Sequence, residues 1–167
     1  GYTGIALYES VQVGTTDKLT LSGRLNGLNL ETTIEESLEY HWPTVANTTI
    51  AIMTKFFYSN TSNANYSRIL ELETELNSQY SNEVADDVIN RSITFAYELT
   101  EQIIQWSTSD GCYAAQFNNF PTEYEPLPGV EFWKPTAPNQ RALQPYWGNN
   151  RPFISLNVEN SIPVDPP

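Results

Sequence analysis

The chain has 167 residues, room for one domain with a core of ordinary size. Twenty acidic against eight basic residues give a formal charge of −12, and no stretch gathers Lys or Arg into a stripe that could neutralise phosphates, so nucleic acid and anionic membrane surfaces are poor partners. The apolar runs, such as Ile50-Ala51-Ile52-Met53, fall far short of the roughly 20 residues a spanning helix needs, so no membrane span is expected.

The first predicted helix covers residues 2 to 13, with Tyr2, Ile5, Ala6, Glu9 and Val13 at helical spacing and Gly14 as its stop. It begins without an initiator Met, a signal peptide or a cap, which suggests that a preceding segment has been removed. Residues 15 to 42 carry Leu19, Leu21, Leu25, Leu28 and Leu30 at spacings too loose for helix or strand, and they read as a packed loop. Pro43 suits the first position of a second helix running to about Tyr58, whose face holds Val45, Ala46, Ile50, Met53 and Phe57. The Ser59 to Ser62 cluster interrupts the pattern. A third helix over 63 to 79 follows, with Ile69, Leu72, Leu76 and Tyr80 at intervals of three and four.

Ser81 or Asn82 is the expected cap of a fourth helix over 83 to 108, with Glu83, Asp86 and Asp87 near the positive end of its dipole. Its stripe of Val84, Val88, Phe95, Leu99, Ile103 and Trp106 is widened by Ile89, Ile93 and Ala96, which implies contact on two sides; Asp110-Gly111 ends it. From Gly111 the texture changes, because ten of the eleven prolines fall between Pro121 and Pro167 among many aromatic residues. The expected fold is therefore all-α: about four helices in a region 1–110, then a long irregular, proline- and aromatic-rich C-terminal arm over 111–167. Such an arm is expected to bury its rings, Trp133, Tyr146 and Trp147 among them, against the remainder of the same protein or another chain. The extended end Ile162 to Pro167 resembles a connector, with more polypeptide expected beyond it.

Few residues offer chemistry. The one histidine, His41, cannot make a two-histidine metal site and reads as a loop residue hydrogen-bonded ahead of a helix. Cys112, the one cysteine, excludes an internal disulfide and reads as a small, partly buried hydrophobe. Of the acidic groups, Glu71 with Glu75 and Glu35 with Glu39 would share helical faces. No ligand-rich loop surrounds them, and they, with Glu36, Glu73, Asp86 and Asp87, read as solvated faces. Arg141 and Arg151 lie in the arm. Arg151-Pro152 would suit an oxyanion fork, but Arg151 more simply anchors the arm through an acidic group. Four sequons begin at Asn47, Asn60, Asn65 and Asn90, common by chance in so Asn- and Thr-rich a chain; with only three lysines they point weakly to an extracytoplasmic protein: periplasmic, cell-surface or secreted.

Several segments resemble, together, the N-terminal half of bacterial vanadium-dependent haloperoxidases, in the type 2 phosphatidic acid phosphatase superfamily. They are Tyr2-Thr3-Gly4-Ile5-Ala6-Leu7-Tyr8-Glu9-Ser10, Tyr40-His41-Trp42-Pro43-Thr44, Asn119-Phe120-Pro121-Thr122 and Trp133-Lys134-Pro135-Thr136. The most specific is Gln144-Pro145-Tyr146-Trp147-Gly148-Asn149-Asn150-Arg151-Pro152-Phe153. The resemblance implies an all-helical portion of a larger helical bundle protein, packing against a C-terminal catalytic domain outside this sequence, with homo-oligomers possible. It also implies that vanadate belongs to that domain, where the parent enzyme would use it as a Lewis acid in peroxide-driven oxidation of halide. The family holds its oxyanion with Lys-x6-Arg-Pro, Pro-Ser-Gly-His and Arg-x4-His motifs. Counting back seven residues from Arg151 reaches Gln144 where Lys is required, and neither other motif occurs. No catalytic, cofactor-binding or metal residue is therefore carried over. The expected role is a non-catalytic scaffold portion of such an enzyme; the alternatives are a surface or assembly protein of the same fold, or part of an acid phosphatase.

Overall fold

The computed structural model describes residues 1–115 and 117–155. Among them are five α-helices and no strand: α1 (Tyr2–Gln12), α2 (Trp42–Phe57), α3 (Asn63–Tyr80), α4 (Asp86–Thr108) and a one-turn α5 (Cys112–Ala115), with a 3-10 turn at Trp147–Asn149. The all-α expectation holds. The chain divides into two compact units, Gly1–Trp106 and Ser107–Pro167, the boundary falling inside the last turn of α4.

In the first unit, α1 and α3 both pack on α2. The core is assembled from Ala6 of α1, Val45, Ala51 and Met53 of α2, Leu28 of the loop, and Val88, Phe95, Ala96, Leu99, Ile103 and Trp106 of α4. Each large side chain so buried contributes on the order of 1.5–3 kcal/mol. The broad stripe expected on α4 thus exists, and the α1–α2 loop takes up part of it. Trp106 Nε1 donates to the Asn26 carbonyl (3.0 Å), the Gln102 side chain bonds Thr32 and the Glu31 N–H, and Ser92 Oγ accepts the His41 N–H (2.8 Å). Residues 15 to 41 form a loop, as their spacing suggests, and Leu28 is the one of its leucines that is buried; Leu19 and Leu38 remain exposed.

Several boundaries and faces differ from the sequence reading. Helix α1 ends one residue early at Gln12, and Gly14 is not a left-handed stop: a Cβ there would lie 2.2 Å from Trp42 Cε2, so the residue is small because an indole lies on it. Helix α2 begins at Trp42, which moves Pro43 one place inside the first turn. Ser81 closes α3, its Oγ donating to the Ser78 carbonyl, instead of opening α4; α4 starts at Asp86, leaving Val84 in the connecting turn. The stripe expected on α3 is not a buried one: no residue of α3 is buried, and Leu72 is 47% exposed. This helix is held by polar contacts that periodicity does not register. Lys55 Nζ pairs with Glu73 Oε2 at 2.8 Å, and Asn47 Nδ2 donates to the Glu73 carbonyl and to Asn77 Oδ1. Glu73 is therefore an interhelical anchor, not part of a solvated face.

In the second unit, Gly111 adopts φ +91, the left-handed turn expected after α4, and Asp110 Oδ1 then accepts the N–H groups of Cys112 and Tyr113 to cap α5. The arm folds back on this corner. The Arg151 N–H donates to the Asp110 carbonyl (2.8 Å), and the Gln144 N–H to the Asn119 carbonyl (2.8 Å). The proline-rich end from Ile162 to Pro167 lies outside the described residues.

Candidate functional site

Several of the residues singled out in the sequence are committed to local structure. His41 caps α2 without a side-chain bond to the backbone; its Nδ1 lies 2.8 Å from Thr44 Oγ1, its Nε2 3.3 Å from Glu83 Oε2, and its ring against Tyr80. That is the hydrogen-bonded loop role read from its position. Arg151 anchors the arm: its Nη1 donates to Ser109 Oγ at 3.0 Å, its N–H donates to the Asp110 carbonyl, and the Asp110 carboxylate caps α5. Gln144, at the position where the resembled motif has Lys, has φ +45 and donates from its Nε2 to Asn119 Oδ1 at 2.6 Å.

Cys112 is partly buried, and burial, with the Asp110 carboxylate beside it, pushes its thiol pKa up. The thiolate is the nucleophilic form, so this environment does not activate it. Glu71 pairs with Arg68 and Asp87 with Arg91, both across one helical turn. Glu35 and Glu39 share no helical face, because residues 31 to 40 form none. Among the described residues no group of three or more His, Cys, Asp or Glu side chains could hold a metal ion.

The site that periodicity does not reveal is at Glu9. Its side chain projects from α1 to the inner side of the α1–α2 loop, and the residue is only 3% exposed. Glu9 Oε1 accepts the Leu21 N–H; Oε2 accepts Thr20 Oγ1 (2.9 Å) and Gln12 Nε2 (3.2 Å). All three donors are neutral. Glu9 belongs to the lining of a cleft of about 620 Å³ inside the first unit, floored by α1 and α4 and walled by the loop. Leu19, Leu30, Phe95 and Leu99 give it apolar walls; Thr20, Ser22, Thr32 and Thr33 give it hydroxyl-bearing ones. In sequence, Glu9 sits at a core-facing position of α1. A carboxylate in that register is the signal that could have found the site.

No protein-family model matches this chain, and neither does any curated protein. The fold is nevertheless shared with a solved structure, described as that of the first bacterial vanadium-dependent iodoperoxidase, at TM-score 0.71 and 18% sequence identity. The match covers 100% of this chain and 39% of that one, so the chain spans well under half the length of the protein it is similar to. At this identity the likeness concerns the fold.

Proposed function

We propose that this chain is a structural, non-catalytic portion of a vanadium-dependent haloperoxidase-like protein whose oxyanion site is supplied by other polypeptide. The observation that carries the proposal is the superposition of the whole chain on 39% of the iodoperoxidase. Tested against vanadate, the described residues do not fit. A tetrahedral oxyanion requires several cationic or N–H donors converging on one point. Here the Arg151 guanidinium bonds Ser109, the Gln144 carboxamide bonds Asn119, and the His41 ring is held by Thr44 and Glu83. The acidic balance of the chain also disfavours an anion.

The exposed side chains of the arm are consistent with a surface that another polypeptide covers: Trp133 is 42% and Trp147 59% exposed, with Leu143 and Val130 more so. The chain alone, titrated with vanadate and followed by vanadium NMR, should leave the free-vanadate line unchanged and should not oxidise iodide or bromide with peroxide. A longer polypeptide containing it should do both. Halide turnover by residues 1–167 alone would overturn this reading, and so would a longer polypeptide with no Ser-Gly-His or Arg-x4-His motif.

A further inference from the structure

We propose that the Glu9 cleft binds a small organic amine, its ammonium head against the Glu9 carboxylate and its apolar body between Leu30, Phe95 and Leu99. The inference stands on the first unit alone and is independent of the haloperoxidase reading. Its starting point is an uncompensated charge. Glu9 is buried, yet no described Lys, Arg or His nitrogen pairs with it; Lys18, which also lines the cleft, is paired with Asp17 at 3.2 Å. A buried carboxylate with neutral donors only is paid for incompletely, because its Coulombic partner is missing.

Acceptor capacity remains as well. An ionised carboxylate offers about four lone-pair directions, and three are used here: one on Oε1 and two on Oε2. The space beside it is too large for a bare ion and falls in the range of about 300–1,000 Å³ occupied by small-molecule ligands. The charge selects the ligand class. An anion would meet Glu9 and Glu36, set against one lining cation, Lys18, that Asp17 already pairs, in a chain of net charge −12. A neutral molecule would leave the carboxylate as it is, whereas an ammonium group gains a charge-assisted hydrogen bond and can use the neighbouring hydroxyls as further acceptors. The apolar walls then favour an amine with a hydrocarbon body over ammonium itself.

The test uses the intact chain and three probes that share a body: phenethylamine, phenethyl alcohol and phenylacetate, each titrated while backbone amide resonances are followed. The amine should saturate, shift the Thr20, Leu21 and Thr32 resonances, and bind about tenfold or more tightly than the alcohol, as the loss of a hydrogen bond to a charged group implies. Phenylacetate should not bind. Leu30→Trp, which takes up cleft volume while leaving the Glu9 side chain in place, should abolish the shifts with the circular dichroism intact, and Glu9→Gln should reduce amine affinity to that of the alcohol. If Glu9→Gln does not fold, Leu30→Trp and the probe comparison decide. Equal affinity for amine and alcohol, shifts outside the cleft, or no saturation would each overturn the proposal.

Discussion

At the scale of single residues, the close approach of Gly14 and Trp42 makes the sharpest demand on sequence. With any side chain at 14, a Cβ would sit within 2.6 Å of three indole atoms, and the indole is itself packed near Tyr40 and Phe95. The ring cannot give way without disturbing that cluster. Gly14→Ala should therefore destabilise the protein by about 1–3 kcal/mol, the usual cost of overpacking, read as a lower urea midpoint. The same change at Gly4, where nothing lies near an added Cβ, should not destabilise and can gain a few tenths of a kcal/mol from helix propensity. Cys112 makes a second residue-level prediction. Its raised pKa means that the folded state favours the neutral thiol, so its contribution to stability is present below the ordinary thiol range and is lost as pH rises through the folded value. Alkylation by iodoacetamide near pH 8 should be slower in the folded chain than in the chain unfolded in urea, and the two rates should converge at higher pH. Equal rates at pH 8 would mean that the thiol is not shielded.

At the scale of elements, helix α3 shows how polar contacts replace burial. With no buried residue of its own, it depends on the Lys55–Glu73 pair, both of whose side chains are largely covered, and on Asn47 bridging to Asn77. Breaking a covered pair on one side leaves the other charge unmatched. Lys55→Met and Glu73→Gln should each cost about 1–3 kcal/mol, and the double variant should cost less than their sum by about 0.5 kcal/mol or more. Additive effects in such a cycle would show that the pair does not couple. The same helix explains what the sequence could and could not convey. The stripe on α4 was legible because burial there is mostly apolar and repeats every three or four residues, from Val88 through Trp106. On α2 the expected face holds only in part: Val45 and Met53 are buried, but Ile50 and Phe57 are 42% and 40% exposed, and Thr44, Thr48 and Thr49 take the buried positions instead. On α3 the equivalent stripe was misleading, since Leu72 satisfies the spacing without a surface to meet it. Boundaries failed where one polar residue could serve either neighbour: Ser81 follows α3 and precedes α4, and only backbone geometry assigns it to the former. The Glu9 cleft was illegible for another reason. The carboxylate at a core-facing position of α1 and its Gln12 donor are local, but the other donors, Thr20 and Leu21, come from a loop without periodicity that nothing in the sequence ties to α1.

At the scale of the whole molecule, apolar side chains are distributed unevenly between the two units. In the first, Leu28, Met53, Ile103 and Val45 are almost wholly enclosed, whereas in the second Phe117, Val130, Leu143 and Trp147 are exposed. Among the described residues the second unit is tied together by the polar corner of Asp110, Gly111 and Arg151, by the bonds between Asn119 and Gln144, and by ring contacts such as Tyr124 with Tyr146. Stability and surface chemistry are thus separable by substitution. Trp147→Ser and Leu143→Ser should change the unfolding free energy of the isolated chain by no more than about 0.5 kcal/mol, as surface substitutions do. Trp106→Ala, which empties a covered site and removes the donor to the Asn26 carbonyl, should cost about 3–5 kcal/mol. If the arm is the face on which further polypeptide packs, the two serine variants should behave differently in a longer polypeptide containing this chain. There they should lower the melting temperature or abolish assembly, because each would take an apolar contact out of an interface core. Urea titrations of the four proteins, two variants in each of the two lengths, read this directly. Large losses in the isolated chain would mean that these side chains already belong to its own core, and small effects in both lengths would remove the arm as a docking surface.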